Sequence, residues 1–148
     1  MLRTFAGIVT ILLTVGVYGS TDYQPTTFIK GTKLIGSLHQ NNEVEMFLGI
    51  PFAVPPINDL RWEKPIAWTP ENKKEITANK FRAACIQNQR IVNWYKRLIL
   101  DFGSDPRTFD IPEFSEDCLY LNLWRPRELK NNLPVIVYIH GGSNKAGW

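Results

Sequence analysis

Short apolar runs alternate with turn residues between residues 26 and 56, a pattern typical of β-strands joined by tight loops. The apolar runs are Phe28-Ile29, Leu34-Ile35 and Met46 to Leu48. Between the last two runs, the polar stretch HQNNE predicts the loop of a hairpin. Prolines at positions 51, 55 and 56 cannot donate ladder hydrogen bonds, so they predict that the strand ends there. The next stretch, PFAVPPINDLRWEKPIAWTP, is expected to be an extended segment that crosses the surface.

A helical period appears later in the chain. Apolar side chains recur at i, i+4, i+7 and i+11, namely at Ile91, Tyr95, Leu98 and Phe102. Basic residues lie between them, so the stretch predicts an amphipathic helix. Such a helix packs on a larger body or, alternatively, lies on a membrane surface. Gly103 and Pro106 predict its C-terminal end.

The last third of the chain contains two stretches with strand character. DCLYLNLWRP alternates, with Leu119, Leu121 and Leu123 on one face and Tyr120, Asn122 and Trp124 on the other. In PVIVYIHGG, Val135 to Ile139 are apolar without alternation, which is typical of a strand buried on both faces. Such strands belong to α/β sheets that helices cover on both sides, and they need neighbouring strands.

The first 19 residues follow a different pattern. Arg3 precedes an apolar run from Phe5 to Val17, and small residues come next. A charged start, a short apolar core and small residues predict a secretory signal peptide over residues 1–19, cleaved after Gly19. A transmembrane anchor, the alternative, needs about 20 apolar residues. The protein is therefore expected to be secreted, with residues 20–148 as the mature segment.

Composition and charge exclude several classes of protein. The chain is 44% hydrophobic and 21% charged, as is usual for a globular domain. Its net charge of +3 comes from scattered basic residues, so no nucleic-acid partner is predicted. Cys85 and Cys118 are a natural disulfide pair in an oxidising compartment; two free buried thiols are the alternative. His39 and His140 stand far apart and no Cys/His cluster occurs, so no metal or other cofactor is predicted.

The motif HGG, residues 140–142, directly follows the predicted strand from Val135 to Ile139. Glycine lets the backbone turn sharply and lets ligand atoms approach peptide N–H groups, and consecutive N–H groups can bind an anion. In acyl-transfer enzymes such groups stabilise the oxyanion of the tetrahedral intermediate. A plain strand-to-loop turn is the alternative. A phosphate-binding loop is excluded, because neither G-x-x-x-x-G-K-[ST] nor G-x-G-x-x-G occurs.

Several separated segments match one family in order. They are FLGIPFAVPP with the following LRW, then ACIQ, SEDCLYLNLWRP and PVIVYIHGGSNKAG. Through them the chain resembles the type-B carboxylesterases, the family that includes the cholinesterases, over about residues 27 to 147. EDCLYLN is the most specific piece of the match. The resemblance implies an α/β-hydrolase fold, of which residues 20–148 form the N-terminal part.

The resemblance also implies three groups of site residues. They are a disulfide between Cys85 and Cys118, an ion pair between Arg61 and Glu116, and an oxyanion loop of Gly141, Gly142 and Ser143. The disulfide closes a loop at the rim of the active-site gorge, and the ion pair fastens that loop. Gly141 shapes the turn, while the N–H groups of Gly142 and Ser143 bind the oxyanion. The implied reaction is hydrolysis of a small-molecule carboxylic ester through an acyl-serine intermediate, which needs no cofactor.

The sequence departs from the family pattern at two positions. Ser143 stands where the usual HGGG has its third glycine, and its N–H can serve only if its backbone reaches the required conformation. Small residues also occur there in adhesion-type relatives that are not hydrolases. Thr108 stands where cholinesterases have a choline-binding tryptophan, so a choline ester is not expected.

The chain contains no G-x-S-x-G, and in this family the nucleophile, acid and histidine all follow the oxyanion loop. We therefore expect an N-terminal segment of a longer secreted esterase, inactive by itself. One alternative is a cholinesterase-like adhesion or recognition protein, which binds a protein partner. Another is a short secreted protein that ends at Trp148, which leaves the apolar strand uncovered and prone to aggregation.

Overall fold

The computed structural model describes residues 23–70, 74–128, 132–143 and 145–148 of the chain. The strands in these ranges are β1 (Thr26–Ile29), β2 (Thr32–Ile35), β3 (Ser37–Leu38), β4 (Val44–Pro51), β5 (Glu75–Thr77), β6 (Ala84–Cys85), β7 (Phe114–Ser115) and β8 (Tyr120–Pro126). Helix α1 spans Arg90–Asp101, and 3-10 helices span Asn58–Leu60 and Pro106–Thr108. The predicted signal peptide, residues 1–19, lies outside the described residues.

The first sheet has the strand order β1-β2-β5. β1 and β2 form an antiparallel hairpin around Lys30 and Gly31, whose φ angles of 47° and 81° are typical of the two-residue turn that suits the strand twist. β5 lies parallel to β2, with Ile76 opposite Leu34. The hairpin therefore places apolar side chains of both strands on one side of the sheet.

The second sheet has the order β3-β4-β8 and confirms the predicted hairpin at HQNNE. In that loop His39 N–H donates to the Val44 carbonyl at 2.9 Å. β4 then pairs antiparallel with β8, and the register shifts between Phe47 and Ile50. β4 ends at Pro51, as the proline predicts, since proline has no N–H for the ladder.

The small core lies where β2 and β4 meet. Phe47 is fully buried, and Leu34, Ile50 and Ala78 pack with it. Alternation along β4 puts Glu45 on the buried side together with Phe47, because side chains two residues apart on a strand point to the same face. A charged side chain in that position needs a partner.

Backbone hydrogen bonds hold the extended segment that follows β4. Phe52 N–H donates to the Leu119 carbonyl at 3.1 Å, and Trp68 N–H donates to the Phe52 carbonyl at 3.1 Å. The two ends of the segment therefore pair with each other and with the chain just before β8. Trp62, in the middle, is 93% exposed and contributes no burial.

Helix α1 confirms the predicted helix and its predicted end. Gly103 adopts φ 76°, and Ser104 N–H donates to the Ile99 carbonyl at 2.9 Å, which is the usual glycine-terminated helix end. The buried face differs from the predicted one: the helix buries Val92, which is outside the predicted set, whereas Tyr95 is 37% and Phe102 84% exposed. No helix in the described ranges is long and apolar enough to cross a membrane.

The prediction of a buried strand from Val135 to Ile139 is wrong for this structure. The stretch has no strand structure, and its five side chains are between 79% and 92% exposed. None of the described strands pairs with it. A strand buried on both faces depends on neighbouring strands for its hydrogen bonds and on covering layers for its side chains. Its β-forming composition alone does not produce a strand.

Candidate active site

An open cleft of about 460 Å³ lies between helix α1 and the glycine-rich loop at residues 140–148. Its walls combine the aromatic side chains of Tyr95, Phe109, Tyr138 and Trp148 with the backbone of Gly141 and Gly142. This volume is within the range of small-molecule sites, about 300–1,000 Å³. The predicted oxyanion loop thus borders a cleft large enough for a small organic molecule.

The backbone of the loop turns tightly at Gly142. Its carbonyl accepts hydrogen bonds from Lys145 N–H at 3.0 Å and from Ala146 N–H at 3.3 Å. A Cβ atom at Gly142 would stand 1.5 Å from the Ala146 carbonyl oxygen, and φ is 134° there. Only glycine fits this position. By contrast, a Cβ atom at Gly141 would meet open space.

Ser143 adopts φ 56°, in the left-handed region that favours glycine. The serine at this position therefore adopts the left-handed backbone conformation that a glycine would adopt easily. Within the described residues, neither Gly142 N–H nor Ser143 N–H donates to another backbone group. Among the described residues, these two consecutive N–H groups therefore have no backbone acceptor.

His140 does not form a catalytic dyad with any described carboxylate. Its Nδ1 atom lies 2.9 Å from the Gly141 carbonyl oxygen, and the side chain is exposed. The ion pairs found among the described residues do not include it. His140 therefore belongs to the loop, as its position in HGG predicts.

Two contacts attach the end of the loop to the segment between the two cysteines. The Gln87 carboxamide binds both backbone groups of Gly147, at 3.0 Å and 2.7 Å. The ring of Trp148 lies 5.7 Å from Tyr95, 6.0 Å from Phe109 and 6.2 Å from Phe114, measured between centroids. Sequence reasoning missed both contacts, although Gln87 is the last residue of the ACIQ match.

The cysteine pair closes the loop that carries α1. The structure contains the Cys85–Cys118 disulfide, with Cα atoms 5.0 Å apart. Parallel pairing of β6 with β7 brings Cys85 opposite Ser115. The segments around the two cysteines are therefore joined both by the disulfide and by this strand pairing. Arg61 Nε lies 2.5 Å from Glu116 Oε1, which brings the two residues of the expected ion pair together beside the bridge. The pair is partly exposed.

The remaining residues of EDCLYLN also have defined partners. Tyr120 O–H donates to Asp117 Oδ1 at 2.8 Å. Burial, together with this hydrogen bond, raises the pKa of the Tyr120 phenol above its ordinary value. Asn122 Oδ1 accepts from Gly49 N–H at 2.8 Å, where φ is 73° and a Cβ atom would clash with Lys80. FLGIP and EDCLYLN, two of the segments that carry the family resemblance, therefore contact each other directly.

A buried charge network at the other end of β4 was not predicted. Glu45 is fully buried and its Oε2 atom lies 2.6 Å from Arg125 Nε, directly across the β4–β8 ladder. Tyr23 O–H also donates to Glu45, and this bond raises the pKa of the Tyr23 phenol. Arg125 lies over the Phe47 ring at 5.0 Å. The sequence signal for this network was the charged Glu45 at an inward-facing position of an alternating strand. The network lies at the sheet, and it is structural.

In the described ranges, no three His, Cys, Asp or Glu side chains are grouped so that they could hold a metal ion. The groups that line the cleft include backbone atoms of the glycine-rich loop, aromatic side chains and the His140 imidazole.

Solved structures place this chain among α/β-hydrolase esterases. A PNB esterase aligns with 82% of this chain and 22% of its own length, with a TM-score of 0.65 and 28% sequence identity. A thermophilic PNB esterase gives the same coverage, TM-score and identity. The described strands, helix and disulfide loop are thus part of an α/β-hydrolase fold.

Sequence relatives identify the family within this fold. Fumonisin B1 esterase of Sphingopyxis macrogoltabida is 38% identical over 71% of this chain and 17% of that relative. Lipase 1 of Geotrichum candidum is 35% identical over 86% of this chain and 24% of that relative. The family model described as "Carboxylesterase family" matches residues 23–147, and the chain belongs to this family. It spans less than a quarter of the length of these relatives.

Proposed function

We propose that this chain supplies the oxyanion-binding loop of a secreted serine carboxylesterase. Gly142 and Ser143 donate their N–H groups to the oxyanion that forms when a nucleophile attacks the ester carbonyl, and Gly141 leads into the turn. Two such donors stabilise the negative charge of the transition state, each by about 3–4 kcal/mol. The substrate is a small-molecule carboxylic ester, and no cofactor takes part.

The observation that carries this proposal is the pair of consecutive N–H groups at Gly142, which lines the cleft, and at Ser143, the next residue. Each lacks a backbone acceptor among the described residues, and the turn at Gly142 admits no side chain, because a Cβ atom there would clash with the Ala146 carbonyl. Carboxylesterase-family membership supports ester hydrolysis as the reaction. The aromatic walls from Tyr95, Phe109 and Trp148 provide an apolar surface for the organic part of an ester.

The nucleophile, the acid and the catalytic histidine belong, in this proposal, to parts of the protein outside these 148 residues. The chain contains no G-x-S-x-G, and His140 has no carboxylate partner within the described ranges. Residues 20–148 alone are therefore expected to be inactive, as an N-terminal part of the esterase domain. The signal-peptide pattern of residues 1–19 and the disulfide support secretion, because disulfides persist in oxidising compartments.

The test uses the complete product of the reading frame that contains this chain. We expect it to hydrolyse p-nitrophenyl acetate and to react with a fluorophosphonate at one serine outside residues 1–148. Residues 20–148 expressed alone should do neither. A folded, disulfide-bonded complete product that does not react with the fluorophosphonate contradicts the esterase and favours a recognition protein of the same fold.

A further inference from the structure

The Gln87 side chain forms a two-point contact with the backbone of Gly147. Its Nε2 atom donates to the Gly147 carbonyl at 3.0 Å, and its Oε1 atom accepts from Gly147 N–H at 2.7 Å. A carboxamide that binds both groups of one residue restrains the position and the orientation of that peptide, much as a neighbouring strand does. Gln87 is half-buried, so water competes less well for these bonds.

Gly147 is in turn packed against the start of the glycine-rich loop. A Cβ atom at Gly147 would stand 2.2 Å from His140 Nδ1 and 2.6 Å from the Gly141 carbonyl oxygen. The backbone of residue 147 therefore lies directly against residues 140 and 141. Ala146 N–H also bonds to the Gly142 carbonyl, so residues 146 and 147 both contact the first residues of the loop.

Gln87 lies two residues after Cys85, in the segment closed by the Cys85–Cys118 disulfide. Gln87 Nε2 also lies 3.1 Å from the Cys85 carbonyl oxygen, which fixes the side chain relative to the bridge. The residue that restrains Gly147 is therefore itself held in the segment that the Cys85–Cys118 disulfide closes. Trp148, packed on aromatic rings of the same segment, provides a neighbouring attachment.

We infer that Gln87 is a positioning residue that holds the N–H groups of Gly142 and Ser143 in the orientation an oxyanion requires. This inference rests on the proposed function and adds a residue to it. The role requires an uncharged side chain with both a donor and an acceptor. A carboxylate there would lack the donor and would repel the Gly147 carbonyl.

The first test measures the loop and does not depend on activity. Hydrogen exchange with mass spectrometry on the complete product follows the peptide that contains residues 140–148. We expect Gln87→Ala to speed exchange of the Gly147 amide about 10-fold, since it loses its acceptor. Gln87→Glu keeps an acceptor oxygen and should give a smaller increase; it also serves if the alanine variant does not fold. Gln89→Ala is the matched control, because Gln89 is exposed and its side chain makes no helix-cap hydrogen bond.

The second test measures catalysis. Gln87→Ala should lower kcat about 10- to 100-fold and leave KM within about twofold, because the displaced donors act mainly on the transition state. Unchanged exchange in residues 140–148, or an unchanged kcat in an active product, overturns the inference. If the unsubstituted product has no esterase activity but Gln87→Ala still speeds exchange, the proposed function fails and the structural role of Gln87 stands.

Discussion

At the scale of single residues, the loop depends on a backbone conformation that only glycine adopts at position 142. We expect Gly142→Ala to lower kcat of the complete product about 10²–10³-fold, because the methyl group forces the turn open and removes oxyanion donors. Steady-state hydrolysis of p-nitrophenyl acetate measures the effect. Gly31→Ala is the control: φ is also positive there, at 81°, but the site is open and remote from the cleft. A normal kcat in Gly142→Ala contradicts the proposed donors.

Ser143 provides a second prediction at this scale. A β-branched residue is strained in the left-handed region, whereas glycine is not. We expect Ser143→Val to lower kcat at least about 10-fold and Ser143→Gly to keep it within about threefold, if the N–H alone acts in the reaction. Equal losses in both variants would show that the serine hydroxyl contributes.

At the scale of elements, the pairing of β4 with β8 contains a buried ion pair. Arg125→Met removes the ionic partner and leaves the buried Glu45 carboxylate with only the Tyr23 hydroxyl, so it should lower the free energy of unfolding by about 3–5 kcal/mol. Urea denaturation of the complete product measures this change. Lys33→Met is the control, since Lys33 and Glu75 form an exposed pair at 3.1 Å and such pairs contribute about 0–1 kcal/mol. Similar losses in both variants would contradict the buried role of Glu45.

The junction between the disulfide and β8 should respond to alkaline pH through Tyr120. Burial and the bond to Asp117 raise its pKa, so the neutral phenol is the form that the fold stabilises. The contribution is present below the ordinary tyrosine pKa of about 10 and is lost as the pH rises through the raised value. Tyrosinate absorbance during an alkaline titration should lose one late-titrating component in Tyr120→Phe, while the raised component of Tyr23 remains. Asp117→Asn should move the Tyr120 component to lower pH; no movement argues against the hydrogen bond.

At the scale of the whole molecule, the apolar run from Val135 to Ile139 is exposed and unpaired among the described residues. Uncharged stretches with high β-propensity associate through their free edges. Residues 20–148 expressed alone should therefore aggregate or bind a hydrophobic dye, and a sharp cooperative melt of a monomer contradicts this. Val137→Lys should reduce light scattering markedly. Phe102→Lys, which removes an isolated exposed ring, should change it little.

Local sequence signals were sufficient for much of the fold. The turn residues of HQNNE set the β3–β4 hairpin, Pro51 ends β4, and Gly103 ends α1, because each effect acts within a few residues along the chain. Family resemblance supplied the pairing of the cysteines and of Arg61 with Glu116, and the structure brings both pairs together. The carboxylesterase family and the α/β-hydrolase fold were likewise evident from the order of the motifs.

The sequence by itself determined the β3–β4 hairpin, the end of β4 at its proline, and helix α1 with its glycine end, because these depend on local backbone preferences. Only the tertiary structure decided which distant groups meet: Gln87 with Gly147, 60 residues apart, and Glu45 with Arg125, 80 residues apart. It also decided that Val135 to Ile139 form no strand, since a strand needs hydrogen-bonding neighbours that no local pattern can supply. Hydrogen bonds and burial between distant segments depend on the packing of the folded chain, and periodicity along the sequence does not record them.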